Sequence, residues 1–121
     1  MKVYIAAPWE LREEAKSLGD RLMAAGIEIT ARWLTEPDGQ SDIDGAIMDL
    51  EDIDRSNALI LFNPSEWAAK GTGGRHFECG YAHARGLSVG ILGVRSNVFH
   101  DLFTIFADET ELIECLIQNR N

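Results

Sequence analysis

Two carboxylates and a glycine-rich loop are the residues of this chain best suited to chemistry. Gly71-Thr72-Gly73-Gly74 stands before a helical pattern that contains Glu78. Glycines at a helix start leave backbone N–H groups open to an anionic or polar ligand, although the same residues also suit a plain flexible loop. Glu78 falls in the first or second turn beyond that loop, where the helix dipole favours the ionised form. An ionised carboxylate beside a ligand loop is a candidate nucleophile or base, and a solvated, dipole-matching glutamate is its bland counterpart. The second carboxylate comes from the acidic stretch 42–54. Asp49 has Ala46 three residues before it and Ile53 four after it, so it borders an apolar stripe, and partial burial there raises the pKa as a general acid requires. Asp54 lies near the same stripe and is the rival.

Other residues compete for attention. Cys79 has His76 three positions before it and His83 four after it, which could make a thiolate nucleophile; a buried small hydrophobe is the commoner use of such a cysteine. His76, His83 and His100 have no metal-ligand spacing, and nothing calls for a metal or a cofactor. Trp9 could stack on a planar ligand or pack against a neighbour. Asn63 could meet a ligand's hydroxyls or form the turn before Pro64. The nucleotide-binding patterns G-x-G-x-x-G and G-x-x-x-x-G-K-[ST] are both absent.

These residues need a scaffold to bring them together. The chain has 121 residues, read as one domain over 1–121. Val3 to Ala7 is a continuous apolar run, expected as a strand buried on both faces. Leu11, Ala15, Leu18, Leu22 and Ala25 form a helical stripe that Gly26 closes. Ile27 to Arg32 alternates like a more exposed strand. Residues 34–42, with Pro37, Asp38-Gly39 and Ser41, read as a loop. A second helix is expected from about Ile43 to Ile53, with Ile43, Ile47, Leu50 and Ile53 facing inward. Ala58 to Phe62 reads as a strand, and a third helix runs to about Arg85 with Gly86 as its stop. Leu87 to Leu92 and Phe103 to Phe106 read as further strands. Asp108 to Glu111 reads as a capping box for a last helix.

Strand and helix therefore alternate. The pattern predicts an α/β fold: a flavodoxin-like, doubly wound, parallel five-stranded sheet with helices on both faces. In such folds ligands sit beyond the carboxyl ends of the strands. That directs attention to Ala7–Arg12, Asn63–Glu78 and Gly93–His100, with Ala7, Pro8, Trp9, Asn63, Gly73, Gly74 and His76 expected around a ligand. A flavin phosphate loop would need Ser, Thr and Gly after strand one, where Pro8-Trp9-Glu10-Leu11 supplies none. A phospho-acceptor receiver domain would need an Asp at the end of strand three, which is Asn63.

Net charge narrows the partners. Lys+Arg number 11 against 20 Asp+Glu, a net charge of -9, which disfavours a nucleic-acid polymer or an anionic membrane as main partner. Small nucleosides and nucleotides, read by local pockets, stay open. With 2 Cys, a disulfide-rich scaffold and a four-cysteine zinc site are excluded. The opening apolar run is too short for a signal peptide, so a cytoplasmic location is expected.

Three segments carry a family resemblance: Tyr4-Ile5-Ala6-Ala7-Pro8, Asp49-Leu50-Glu51-Asp52-Ile53, and Gly73-Gly74-Arg75-His76-Phe77-Glu78-Cys79-Gly80-Tyr81-Ala82. Together with Asn97-Val98-Phe99-His100 they resemble the nucleoside 2-deoxyribosyltransferase family over most of the chain. The resemblance implies an enzyme that cleaves or transfers at the N-glycosidic bond of 2'-deoxynucleosides. It implies Glu78 as the nucleophile that forms a covalent deoxyribosyl intermediate, Asp49 as the group that protonates the base, and Tyr4 as the residue that positions Glu78. It also implies a homodimer or larger homo-oligomer. The chemistry suits the residues, since an oxocarbenium-like transition state needs an anion and the leaving base needs a proton. The sequence departs from the pattern at Thr72, where some transferases carry an Asp, and in its lack of a Gly/Ser/Arg-rich loop after strand one. Two other readings remain: a hydrolase of nucleoside 5'-monophosphates, for which Arg12 could meet the phosphate, and a non-catalytic nucleoside- or nucleotide-binding module.

Overall fold

The computed structural model describes residues 1–36 and 42–119. The loop residues Pro37, Asp38-Gly39 and Ser41 lie outside the described residues. Five strands form one sheet: β1 (Lys2–Ala6), β2 (Glu28–Ile29), β3 (Ala58–Asn63), β4 (Ser88–Gly93) and β5 (Thr104–Phe106). Their order is β2-β1-β3-β4-β5, and every neighbouring pair is parallel. Four helices flank them: α1 (Arg12–Ala24), α2 (Ile43–Asp54), α3 (Gly74–Ala84) and α4 (Glu109–Gln118). This is the doubly wound, flavodoxin-like arrangement that the alternation predicts. Among the described residues no helix is long and apolar enough to cross a membrane.

The central strands explain why a parallel sheet forms. Val3, Tyr4, Ile5 and Ala6 are all fully buried, as are Leu59, Leu61 and Ile91, so β1, β3 and β4 are covered on both faces. Alternation splits the side chains of β1 between the two helix layers. Ile5 faces α1, where a Cβ on Gly19 would lie 3.5 Å from the Ile5 Cδ1. Tyr4 faces the opposite layer and reaches α3. α1 and α4 are joined by a two-bond pair from Arg21 to the Glu109 carboxylate, at 2.6 and 2.7 Å. The last helix starts as its sequence requires: the Asp108 side chain accepts from the Glu111 N–H at 2.8 Å.

Two expectations need correction. The strand expected over Ile27 to Arg32 pairs only through Glu28 and Ile29, and Arg32–Leu34 forms a 3-10 turn. The reason is a competing acceptor. The Arg32 N–H donates to the buried Asp52 carboxylate at 2.8 Å, which draws the chain away from the sheet. The second correction concerns α2. Ile43 and Ile47 point outward, and Ile43 is 71% exposed. The inward face of α2 carries Gly45, Asp52 and Ile53, with the partly buried Asp49 between them. Asp52 occupies a core position because arginines neutralise it there, and this rotates the apolar residues 43 and 47 to the surface.

Candidate active site

The site is built at the carboxyl ends of β1 and β3, where α2 and α3 both begin. Tyr4 is fully buried, and its hydroxyl donates to Glu78 Oε2 at 2.6 Å. Burial, reinforced by the negative charges of Glu78 and Asp49, holds the phenol well above its usual pKa, so it stays a neutral donor. Glu78 is the fifth residue of α3, past the first turn in which the helix dipole acts. Burial pushes its carboxyl from an ordinary 4.5 up to about 8; the Tyr4 hydrogen bond opposes the shift and the Asp49 charge adds to it. Burial thus acts on Glu78 against the ionised form that a helix N-terminus would favour.

Asp49 stands across from this pair on α2. Burial and then the charge of Asp52 push its carboxyl up to about 6, while Arg32 pulls it down. Its Oδ1 is buried and has no hydrogen-bond partner among the described residues. The rival Asp54 is otherwise engaged. It accepts the Tyr81 hydroxyl at 2.8 Å and pairs with Arg85 Nε at 3.2 Å on the outer surface of α2 and α3.

Beneath Asp49 lies a cluster that sequence reading missed. Asp52 is fully buried and accepts from Arg32 N at 2.8 Å, Arg32 Nε at 2.8 Å and Arg55 Nη2 at 2.6 Å. The Ser56 hydroxyl donates to the Asp52 carbonyl at 2.7 Å and lies 2.7 Å from the Thr30 hydroxyl. Nothing in the sequence pairs residue 32 with residue 52; the one hint is an aspartate at a core-facing helical position.

The glycine-rich loop is held from below. Arg75 is buried, and its Nη2 donates to the carbonyls of Trp67 at 2.9 Å and Lys70 at 2.8 Å. Gly71, at φ +86, lies so close that a Cβ there would be 2.7 Å from Arg75 Nη1, so only glycine fits. Above, Gly73 and Gly74 face open space, with nothing within 4 Å of a Cβ built on either. No side chain caps the start of α3. The N–H groups of Gly74 and Arg75 at the start of α3 thus have no side-chain cap.

The remaining candidates are distributed unevenly. Ala7 and Pro8 lie at the end of β1, partly and fully buried, and Trp9 is half exposed beside them. The Trp9 ring centroid is 6.2 Å from that of Trp33, and the Arg12 guanidinium lies 5.8 Å from the Trp9 centroid. His76 is half-buried at the start of α3, 5.3 Å from the His100 ring, with the Asn97 amide nitrogen 3.5 Å from its Nδ1. Burial and the Arg75 charge lower both imidazole pKa values, so both rings are neutral. Asn63 ends β3. It is fully buried, and its Nδ2 donates to the Val94 carbonyl at 2.8 Å. It fastens the loop after β4, and its Oδ1 has no hydrogen-bond partner among the described residues. Gly93, at φ +135, makes this possible, since a Cβ there would collide with the Asn63 carbonyl. Cys79 is buried, and burial pushes its thiol up to about 12, which disfavours the thiolate. Among the described residues no group of three or more His, Cys, Asp or Glu could hold a metal.

No protein-family model matches the chain, and no curated protein sequence matches it significantly. A solved structure does. The CMP N-glycosidase BcmB of Clostridium botulinum superimposes with a TM-score of 0.61 at 18% sequence identity, over 98% of this chain and 99% of that one.

Proposed function

We propose that this protein is an enzyme that cleaves the N-glycosidic bond of 2'-deoxynucleosides, by hydrolysis or by transfer of the sugar to a second base. The observation that carries the reading is the Tyr4–Glu78 hydrogen bond at 2.6 Å, with a second carboxyl, Asp49, facing it. Tyr4 engages Oε2, which leaves Oε1 to attack the sugar's anomeric carbon. As the Oε1–C1' bond forms, the C1'–N bond breaks, and the Asp49 proton goes to the departing base. Water or an acceptor base then attacks C1', releases Glu78, and returns a proton to Asp49. A nucleophile fixed by a hydrogen bond beside a second carboxyl suits this sequence of steps. They start from the form in which the proton shared by the pair rests on Asp49, a minor form because Glu78, near 8, holds the proton more tightly than Asp49, near 6.

A second reading differs in substrate: a nucleoside 5'-monophosphate hydrolysed at the same bond. The uncapped α3 N-terminus under open space at Gly73 and Gly74 favours it, because such N–H groups suit a phosphate. The structural neighbour's action on CMP points the same way.

One experiment tests both. The protein is incubated with 2'-deoxynucleosides and with their 5'-monophosphates, with and without a spare base, and the products are separated by chromatography. Free base alone means hydrolysis, and a new nucleoside means transfer. Intact-protein mass spectrometry after incubation with a 2-fluoro analogue should show the sugar attached to Glu78. No cleavage of either class, or full activity in Glu78→Ala, would overturn the reading.

A further inference from the structure

Tyr4 and Asp49 belong to different elements, and one short segment after β2 joins those elements. The Thr30 N–H donates to the Val3 carbonyl at 3.0 Å, and the buried Trp33 Nε1 donates to the Ile5 carbonyl at 2.9 Å. Residues 30–33 therefore grip β1 on both sides of Tyr4. They also hold α2. Arg32 donates to the Asp52 carboxylate through its backbone N–H and its Nε, each at 2.8 Å. The Ser56 hydroxyl gives its one proton to the Asp52 carbonyl, so in the 2.7 Å contact between the Thr30 and Ser56 hydroxyls Thr30 is the donor. Thr30, Ser56 and Asp52 are all buried. A satisfied buried network of this kind fixes the parts it joins.

The point of attachment on α2 is Asp52, and Asp49 precedes it by three residues, so their side chains are neighbours on one helix face. Both face inward: Asp52 is fully buried, and so is Asp49 Oδ1. The Asp52 charge favours the proton on Asp49, and Arg32 opposes it. Across from Asp49 stand Tyr4 of β1 and Glu78 of α3, whereas Tyr81 and Arg85 of α3 are engaged by Asp54.

We propose that Asp52 is a positioning residue for the reaction: clasped by residues 30–33, it sets α2 against β1 so that Asp49 meets the Tyr4–Glu78 pair, and it holds a fixed negative charge beside the proton-donating carboxyl. The inference rests on the reading of Asp49 as the group that protonates the leaving base. Being fully buried, Asp52 acts through Asp49 and not on the substrate. A weaker hold of Asp49 on its proton has two linked effects. The acid limb of kcat/KM moves to lower pH, and the minor form with the proton on Asp49 becomes rarer, by about tenfold for each pH unit of movement.

The test is the pH profile of kcat/KM for wild type, Asp52→Asn and Arg55→Gln, on 2'-deoxynucleosides and their 5'-monophosphates. Asp52→Asn keeps the shape and removes the charge. Its acid limb should move down by about one pH unit, and its maximum should fall by about tenfold. Arg55 Nη2 donates to Asp52 at 2.6 Å from a side chain that is 53% exposed, so Arg55→Gln should fold. It leaves the Asp52 charge less neutralised, and the acid limb should move up. A purely structural role would lower the maximum in both variants and leave both limbs in place. Circular dichroism checks the folding. A limb that fails to move down in Asp52→Asn overturns this proposal alone; should that variant not fold, a limb that fails to move up in Arg55→Gln does the same. A wild type that cleaves none of the substrates overturns the glycosidase reading and this proposal with it.

Discussion

Glu78 sits where chemistry and stability ask for opposite protonation states. Its carboxyl titrates near 8 in the fold against an ordinary 4.5. Between those values the folded chain holds a proton that the unfolded chain has released, so stability falls as pH rises through that window and the penalty is complete above 8. Glu78→Gln removes the ionisable group and keeps the shape. It should stabilise the protein by about 2–4 kcal/mol at pH 8.5 and by little near pH 4.5. Thermal melts at the two pH values check this; an equal gain at both would show that burial of the charge is not the cause. The same groups set a rate profile. With Asp49 near 6 and Glu78 near 8, the pair holds one proton between these values. The proton rests chiefly on Glu78, and the productive, minor form has it on Asp49; the fraction of that form, and kcat/KM with it, should rise through about 6, peak near 7 and fall beyond 8. A plateau extending past pH 9 would contradict the coupling. At this scale the sequence was informative where a residue announces itself locally. Glu78 follows a glycine-rich run and Asp49 adjoins an apolar stripe. Tyr4 had no local signal beyond the family likeness, Arg32 had none, and Asp52 had only its core-facing helical position, because their pairing is created only when α2 packs against the turn after β2.

α2 shows how an element can defeat its own pattern. An apolar stripe normally marks the buried face of a helix. Here a buried carboxylate with three donors takes the core position, and Ile43 and Ile47 face water. Phe77 of α3, 63% exposed, and Val98, Phe99 and Leu102 after β4 are exposed as well. Exposed apolar area of this kind marks an interaction surface, and a second copy of the chain is the expected occupant. Light scattering at micromolar concentration should give a dimer or larger species. Phe77→Glu should shift it toward the monomer and lower activity, with the fold retained because the position is exposed. A monomer mass for wild type would contradict this. The other elements followed their sequence signals within a residue or two, since alternation and glycine stops are local. β2 was shortened by a side-chain acceptor 20 residues away, which no local pattern reports.

For the molecule as a whole, net charge and local site pull in different directions. A charge of -9 repels anions at long range, whereas the start of α3 offers N–H groups to one at short range. If a 5'-monophosphate is used, its KM should fall between about 10 and 150 mM salt as the long-range repulsion is screened over a Debye length of roughly 8 Å. The KM of the corresponding nucleoside should stay constant. Steady-state kinetics at two ionic strengths check this, and a KM that rises with salt would place the dominant interaction in local pairing instead. The order of the sheet was legible because each βαβ unit is right-handed and covered, which leaves few topologies. The order also means that the chain's first strand ends up in the middle. Tyr4 and Glu78 are 74 residues apart, and Val3 to Ala6 pair with Ala58 to Leu61. During synthesis the two-faced apolar strand β1 must wait for β3 with one edge unpaired, a template for pairing with another chain. The hydrogen bond on which the proposed chemistry depends is thus among the longest-range contacts of the fold and closes late. Recovery of activity on refolding should lag behind recovery of helix signal, and it should decline as protein concentration rises.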